Sequence, residues 1–100
     1  MPRVYLSQAA LGDLQRLEEF LSQSADPLAG ELLDYILDAL QVLTHQPGIG
    51  RPVAGGLREL IISRQRSAYL ARYAFDEARD LVCVARIRHQ KESGYAAQAC

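Results

Sequence analysis

Cysteine is scarce in this sequence, and its scarcity narrows the class of protein. Cys83 lies within an apolar run, and Cys100 is the last of the 100 residues. Small secreted domains that lack a large core are held together by several disulfides, and two cysteines cannot supply such a framework. We therefore expect Cys83 to be a small core residue.

The sequence also lacks a long apolar run. The N-terminal stretch MPRVYLSQAALGDL has no signal-peptide core, and no segment approaches the roughly 20 apolar residues that span a bilayer. With 49% hydrophobic residues, the chain is long enough for one core and too short for two. We expect a single cytoplasmic domain over residues 1–100, without membrane contact and without room for a separate cofactor domain.

Common catalytic and metal-binding motifs are missing as well. The run GIGRPVAGG begins like a dinucleotide-binding fingerprint, but Val53 stands at its third glycine position and no strand leads directly into it. His45 and His89 share no metal-ligand spacing with the two cysteines, and no Gly-x-Ser-x-Gly elbow is present. We expect neither a cofactor nor a metal site.

The formal net charge of −1 conceals an asymmetry between the two halves of the chain. Residues 1–50 carry two basic and seven acidic side chains, whereas residues 51–100 carry nine basic and five acidic ones. A basic half is suited to an anionic partner such as nucleic acid or an acidic protein surface. The same charges also fit plain solvation of exposed faces, and composition alone does not separate the two interpretations.

The first half has the apolar period of helices. After a short strand over residues 3–6, Ser7 is placed to cap a helix over residues 7–22. Asp26 and Pro27 predict the start of a second helix, which should end near His45. Two helices with a short connection normally pack as an antiparallel hairpin. The predicted apolar stripe of the second helix consists of Ala29, Leu32, Leu33, Ile36, Leu37, Leu40 and Leu43.

The second half has the period of strands, at residues 57–63, 69–76 and 81–89. Three consecutive strands with short links predict an antiparallel meander, and with the helices an α+β fold. Alternation predicts that Leu81, Cys83, Ala85 and Ile87 share one face of the last strand, while Val82 and Val84 share the other with the arginines. The predicted open face therefore carries Arg72, Arg86 and Arg88. The side chains expected to be buried are Leu14, Leu17, Leu33, Ile36, Leu40, Tyr73, Cys83 and Ile87.

This order of elements, with the segments GRPVAGGLRELIIS and YLARYAFDEARDLVCVARIRHQKESGY, resembles the RelE/ParE superfamily of toxins from bacterial type II toxin–antitoxin systems. The resemblance covers nearly the whole chain. It implies growth inhibition and a cognate antitoxin protein as partner. It leaves two targets open, because RelE-like members are ribosome-dependent mRNA endonucleases and ParE-like members poison DNA gyrase. A silent homologue that binds an antitoxin and co-regulates transcription is a third interpretation.

The residues divide between these targets. RelE-like members cleave RNA with arginine, lysine and a C-terminal tyrosine, so His89, Lys91 and Tyr95 are the catalytic candidates if the chain is a ribonuclease. This chain departs from that pattern, with Leu70 in place of an arginine and Glu59 and Ile61 in place of lysines. The ParE-like interpretation is therefore preferred, with no catalytic residue assigned. Its expected target-binding residues are Arg72, Arg86, Arg88, His89 and Lys91.

Overall fold

Five strands form one mixed sheet in the computed structural model of the protein, which describes residues 1–92. The strands lie in the spatial order β1-β5-β4-β3-β2. β1 is parallel to β5, and all other neighbours are antiparallel. The α+β class and the meander are confirmed, but the sheet has one strand more than predicted. The strands are β1 (Arg3–Leu6), β2 (Arg51–Pro52), β3 (Arg58–Arg64), β4 (Ser67–Asp76) and β5 (Leu81–His89).

The first helix, α1 (Gln8–Gln23), begins where the sequence predicts. The hydroxyl of Ser7 accepts a hydrogen bond from the backbone N–H of Ala10 at 3.0 Å, which satisfies one of the unpaired donors of the first turn. At the other end, Ala25 has a φ of 52°, a left-handed conformation that favours glycine. Its N–H donates to the carbonyl of Ser22, and that of Asp26 donates to the carbonyl of Leu21, the two bonds of a Schellman motif.

The second helix, α2 (Leu32–Leu40), begins about five residues later than predicted. Asp26 does accept a hydrogen bond from the N–H of Leu28, but this closes a local turn and not a helix start. Gly30 then has a φ of 85°, which interrupts helical geometry. The donors at the start of α2 are satisfied from α1, because the carboxylate of Glu18 accepts from the backbone N–H groups of Gly30 and Leu32.

A β-bulge in β5 changes which of its side chains face the helices. Arg72 is opposite Arg86 and Tyr73 is opposite Val84, so Ala85 is an extra residue on β5. The strict alternation that the sequence predicts is therefore wrong before this point. Val82 and Val84, predicted on the open face, belong to the main core.

The core lies between this face of the sheet and the two helices. A short 3₁₀ turn at Gln41–Thr44 extends α2 and contributes the buried Leu43. Seven of the eight side chains predicted to be buried are buried, Cys83 among them. The prediction is wrong for Leu33, which is 45% exposed because α2 buries only the line of Leu32, Ile36 and Leu40. The described part of the chain contains no helix that is both long and apolar enough to cross a membrane.

Candidate target-binding surface

Arg86 is held by a carboxylate from the first helix. Its Nε donates to Oδ2 of Asp13 at 2.8 Å, and its Nη2 donates to Oδ1 at 2.7 Å. Only 4% of the Asp13 side chain and 12% of the Arg86 side chain are exposed. Burial by itself raises the pKa of Asp13, but the hydrogen bonds from Arg86 and from the N–H of Ile87, with the charge of Arg86, outweigh it and lower that pKa.

This ion pair closes an edge of the sheet. β1 ends at Leu6, so β5 has no strand beyond Val84 on the β1 side, although β4 continues on its other side. Ser7 continues the pairing, since its hydroxyl donates to the carbonyl of Ala85 at 2.8 Å. Asp13 then accepts from the N–H of Ile87 at 2.8 Å, and so occupies the place of a further strand residue. Arg86 is therefore a part of the fold and not the solvent-exposed cation that the sequence predicts.

Arg72 lies beside a second buried carboxylate. Glu59, on β3, is directly opposite Arg72 on β4, and its Oε2 lies 3.7 Å from Nη2 of Arg72. Its other oxygen accepts from Arg51, at 3.1 Å from Nε and 2.5 Å from Nη2. Two arginines thus flank one carboxylate, which offsets part of their positive charge on the face opposite the helices.

The end of β5 forms a tight turn around His89. The N–H of Lys91 donates to Nδ1 of His89 at 3.1 Å, and the N–H of His89 donates to the Glu92 carboxylate at 2.9 Å. The imidazole also meets the ring of Tyr69 edge-on, with centroids 5.3 Å apart. Burial and the nearby Lys91 lower the pKa of His89, against the opposing effect of Glu92. His89 is thus neutral near pH 7, with Nδ1 as an acceptor.

The remaining predicted residues differ in their surroundings. Arg88 is partly buried, and its Nη1 donates to the backbone oxygen of Glu92 at 2.7 Å. Lys91 is exposed to solvent. Tyr95 lies outside the described residues. The structure therefore brings His89 and Lys91 into one turn, while Arg72 and Arg86 lie further along the sheet beside buried carboxylates.

Asp13 and Glu59 are not among the functional residues predicted from the sequence, although the position of Asp13 in the sequence is informative. Asp13 falls on the apolar stripe of α1, three residues after Ala10 and four before Leu17, where a carboxylate is costly without a partner. A lone acid in such a stripe indicates a buried ion pair. Glu59 has no comparable signal, because strand β3 mixes polar and apolar residues on both faces.

A groove runs between α2 and the outer edge of β3. β2 covers this edge only at Arg58 and Glu59, so Ile61, which pairs with Leu70 of β4 on its inner side, has no strand on its outer side within residues 1–92. The hydroxyl of Tyr35 reaches across from α2 and donates to the carbonyl of Ser63 at 2.6 Å. Ile61 itself is 53% exposed. The lining of the groove consists of Tyr35, Asp38, Ala39, Val42, Leu60, Ile61, Ile62 and Ser63.

Comparison with known proteins identifies the family. Residues 4–94 match a family model described as the ParE toxin of the type II toxin–antitoxin system parDE. The chain belongs to this family. Toxin RelE3 from Caulobacter vibrioides is 33% identical over 92 residues, which cover 92% of this chain and 98% of that protein. Membership in the family confirms the resemblance to the RelE/ParE superfamily.

Family membership also gives the protein one partner. A toxin of a type II system acts together with an antitoxin protein, so a surface that can accept another chain is required. Within the described part of the chain, no group of three or more histidine, cysteine, aspartate or glutamate side chains could hold a metal ion.

Proposed function

We propose that this toxin inhibits growth by binding DNA gyrase, so that cleaved DNA persists. The observation that carries the proposal is Glu59, which is buried on the face opposite the helices and lies 3.7 Å from Arg72. RNA cleavage needs uncompensated cations to stabilise a developing phosphorane. A carboxylate flanked by two arginines works against that charge, whereas a protein-binding surface tolerates such pairs.

The proposal is tested with purified gyrase. We expect the toxin to accumulate cleaved DNA in a gyrase cleavage assay and to induce a DNA-damage reporter in cells before any mRNA cleavage. Arg88→Gln, which removes a partly buried cation at the end of β5, should weaken both effects. Arg79→Gln is the matched control, because Arg79 is exposed in the turn before β5. Absence of cleaved DNA at toxin concentrations that stop growth would refute the gyrase target.

Ribosome-dependent mRNA cleavage is the second candidate. Two observations favour it: the similar Caulobacter vibrioides protein bears the name Toxin RelE3, and His89 presents a neutral imidazole beside Lys91. A neutral imidazole near pH 7 is suited to proton transfer. If this function holds, Tyr95→Phe should abolish mRNA cleavage in a translating extract without unfolding the protein. Under the gyrase proposal the same variant remains toxic, because a binding surface loses only one hydroxyl.

We further propose that the antitoxin docks an extended segment in the groove between α2 and β3. The exposed backbone of Ile61 offers hydrogen bonds to an added strand, and the apolar lining accepts alternate side chains. Asp38 at the rim and the exposed Asp34 nearby on α2 favour a segment with basic residues at the rim.

Co-purification with the product of the neighbouring gene tests this docking. Ile61→Asp places a charge on the groove and should weaken the complex at least tenfold, as measured by calorimetry. Ile49→Asp is the matched control, because Ile49 is equally exposed (50%) but lies in the loop before β2. Equal affinities of the two variants would place the antitoxin elsewhere on the toxin.

A further inference from the structure

Three chain segments meet at one end of the sheet. β3 and β4 are joined by the two-residue turn Gln65 and Arg66, since Arg64 is paired with Ser67. β5 reaches the same end, where its His89 is opposite Tyr69 on β4. The chain then continues across this end, because the N–H of Gln90 donates to the carbonyl of Ala68 at 3.0 Å. We call Gln65, Arg66, Gln90 and Lys91 the sheet end.

The acidic groups near the sheet end already have arginine partners. Arg64 donates from both terminal nitrogens to the carboxylate of Asp26, with one contact at 3.1 Å. Glu92 pairs with Arg16 from α1. Within residues 1–92, neither of the two sheet-end cations forms an ion pair, and both are exposed. The sheet end therefore carries positive charge that the fold does not compensate.

The lowered pKa of His89 is consistent with positive charge at the sheet end. After burial, the largest effect that lowers its pKa is the charge of Lys91, and the charge of Arg64 acts in the same direction. Only Glu92 opposes them. A proton on this imidazole is thus disfavoured by neighbouring cations, as expected at a site of positive potential.

The side chains of the sheet end distinguish between two kinds of anionic partner, an acidic protein and a nucleic acid. All four of its side chains are polar and exposed, and the exposed large hydrophobic residues of the described chain lie on other segments. Protein interfaces have an apolar, well-packed centre. Phosphate contacts need instead arginine, lysine and amide donors, with no apolar requirement.

We infer that the sheet end binds backbone phosphates of nucleic acid through Arg66 and Lys91, with Gln65 and Gln90 as further donors. This goes beyond the proposed function, because it concerns contact with nucleic acid and not with gyrase, and it does not depend on the gyrase target. It also assigns a role to Arg66, which lies in the turn between β3 and β4. The cations predicted from the sequence lie on β4, on β5 or just after β5. Binding is independent of base sequence, since the residues have the chemistry of backbone contacts.

Fluorescence anisotropy of the purified toxin with a labelled DNA duplex of about 20 base pairs tests the inference, over about 50 to 200 mM salt. We expect affinity to fall with salt, and the double variant Arg66→Gln/Lys91→Gln to reduce the slope of log K against log salt by about two. Arg79→Gln is the control: its side chain is 78% exposed and lies in the β4–β5 turn at the opposite end of the sheet. Its slope should equal that of the parent.

A parallel titration with a single-stranded RNA of the same length separates the two sources of phosphate. If the double variant reduces the salt slope with both probes, the sheet end is a general phosphate site. If it reduces the slope with RNA alone, the sheet end is a site for single strands. Absence of salt-dependent binding by the parent chain overturns the inference. So does an equal loss in Arg79→Gln, and so does tighter binding to polyglutamate than to either nucleic acid, which would point to an acidic protein.

Discussion

Replacing Asp13 with alanine removes the carboxylate that holds Arg86 and closes the edge of β5. Four hydrogen bonds are lost, two from the Arg86 guanidinium, one from the N–H of Ile87 and one from Arg16. Removing one partner of a buried ion pair costs about 3–5 kcal/mol, because the other charge stays desolvated. In a domain of this size, Tm falls by about 4–8 °C for each kcal/mol of stability that is lost. We therefore expect Asp13→Ala to lower Tm by at least about 12 °C.

Urea unfolding followed by circular dichroism measures this loss of stability. Asp38→Ala is the control, because Asp38 is exposed on α2, and its stability should stay within about 0.5 kcal/mol of the parent. The double variant Asp13→Leu/Arg86→Met should recover much of the loss, since it leaves no charge without a partner. A cost below about 1 kcal/mol for Asp13→Ala would refute the conclusion that this ion pair supports the fold.

Three further predictions concern the backbone and pH. Ala25→Gly should stabilise the protein by about 1 kcal/mol in the same urea assay, because glycine adopts the left-handed conformation without strain; a destabilised variant would contradict the Schellman geometry. Gly50→Ala should destabilise the protein by about 1–3 kcal/mol, since an added Cβ would lie 2.7 Å from the Tyr73 ring. An unchanged unfolding midpoint would show that the loop moves to accommodate the Cβ. The lowered pKa of His89 means that its contribution to stability is complete above about pH 6.5 and is lost as pH falls through the folded-state pKa. His89→Gln should flatten the dependence of the unfolding free energy on pH below about pH 6.5, and an unchanged profile would contradict this.

The behaviour of Asp13 changes how toxicity data on Arg86 are to be interpreted. The sequence predicts Arg86 and Arg88 as target-binding residues on an open face, where loss of a cation would cost little stability. In the structure, only 12% of the Arg86 side chain is exposed and its guanidinium is paired with a carboxylate, so Arg86→Ala should lower stability as well as any target binding. A non-toxic Arg86 variant therefore identifies a binding residue only if its unfolding midpoint matches that of the parent.

The sequence correctly predicted the ends of those elements that are stabilised by residues close by in the chain. Ser7 caps α1 through the N–H of Ala10, three residues away, and this spacing is visible in the sequence. The start of α2 was wrong because its capping carboxylate, Glu18, comes from another helix. Asp26 and Pro27 are equally good signals for a turn and for a helix, and the φ of Gly30 decides between them.

The candidate surface was predictable in composition but not in geometry. The cations of β5 were found from the sequence, whereas the partner of Arg86 lies 73 positions away on α1. The bulge at Ala85 follows from pairing between β4 and β5, and no residue pattern within β5 reveals it. Expectations that depend on alternation along a strand are therefore correct on only one side of a bulge, which in β5 is the side after Ala85.

The contact from Glu18 to the start of α2 also has a consequence for the order of folding. A nine-residue helix is too short to be stable alone in water, and α2 has no side-chain cap of its own. The N–H of its first residue, Leu32, donates to Glu18 of α1, so we expect the first turn of α2 to be stable only when α1 is in place. Any event that displaces α1 would therefore unwind the start of α2.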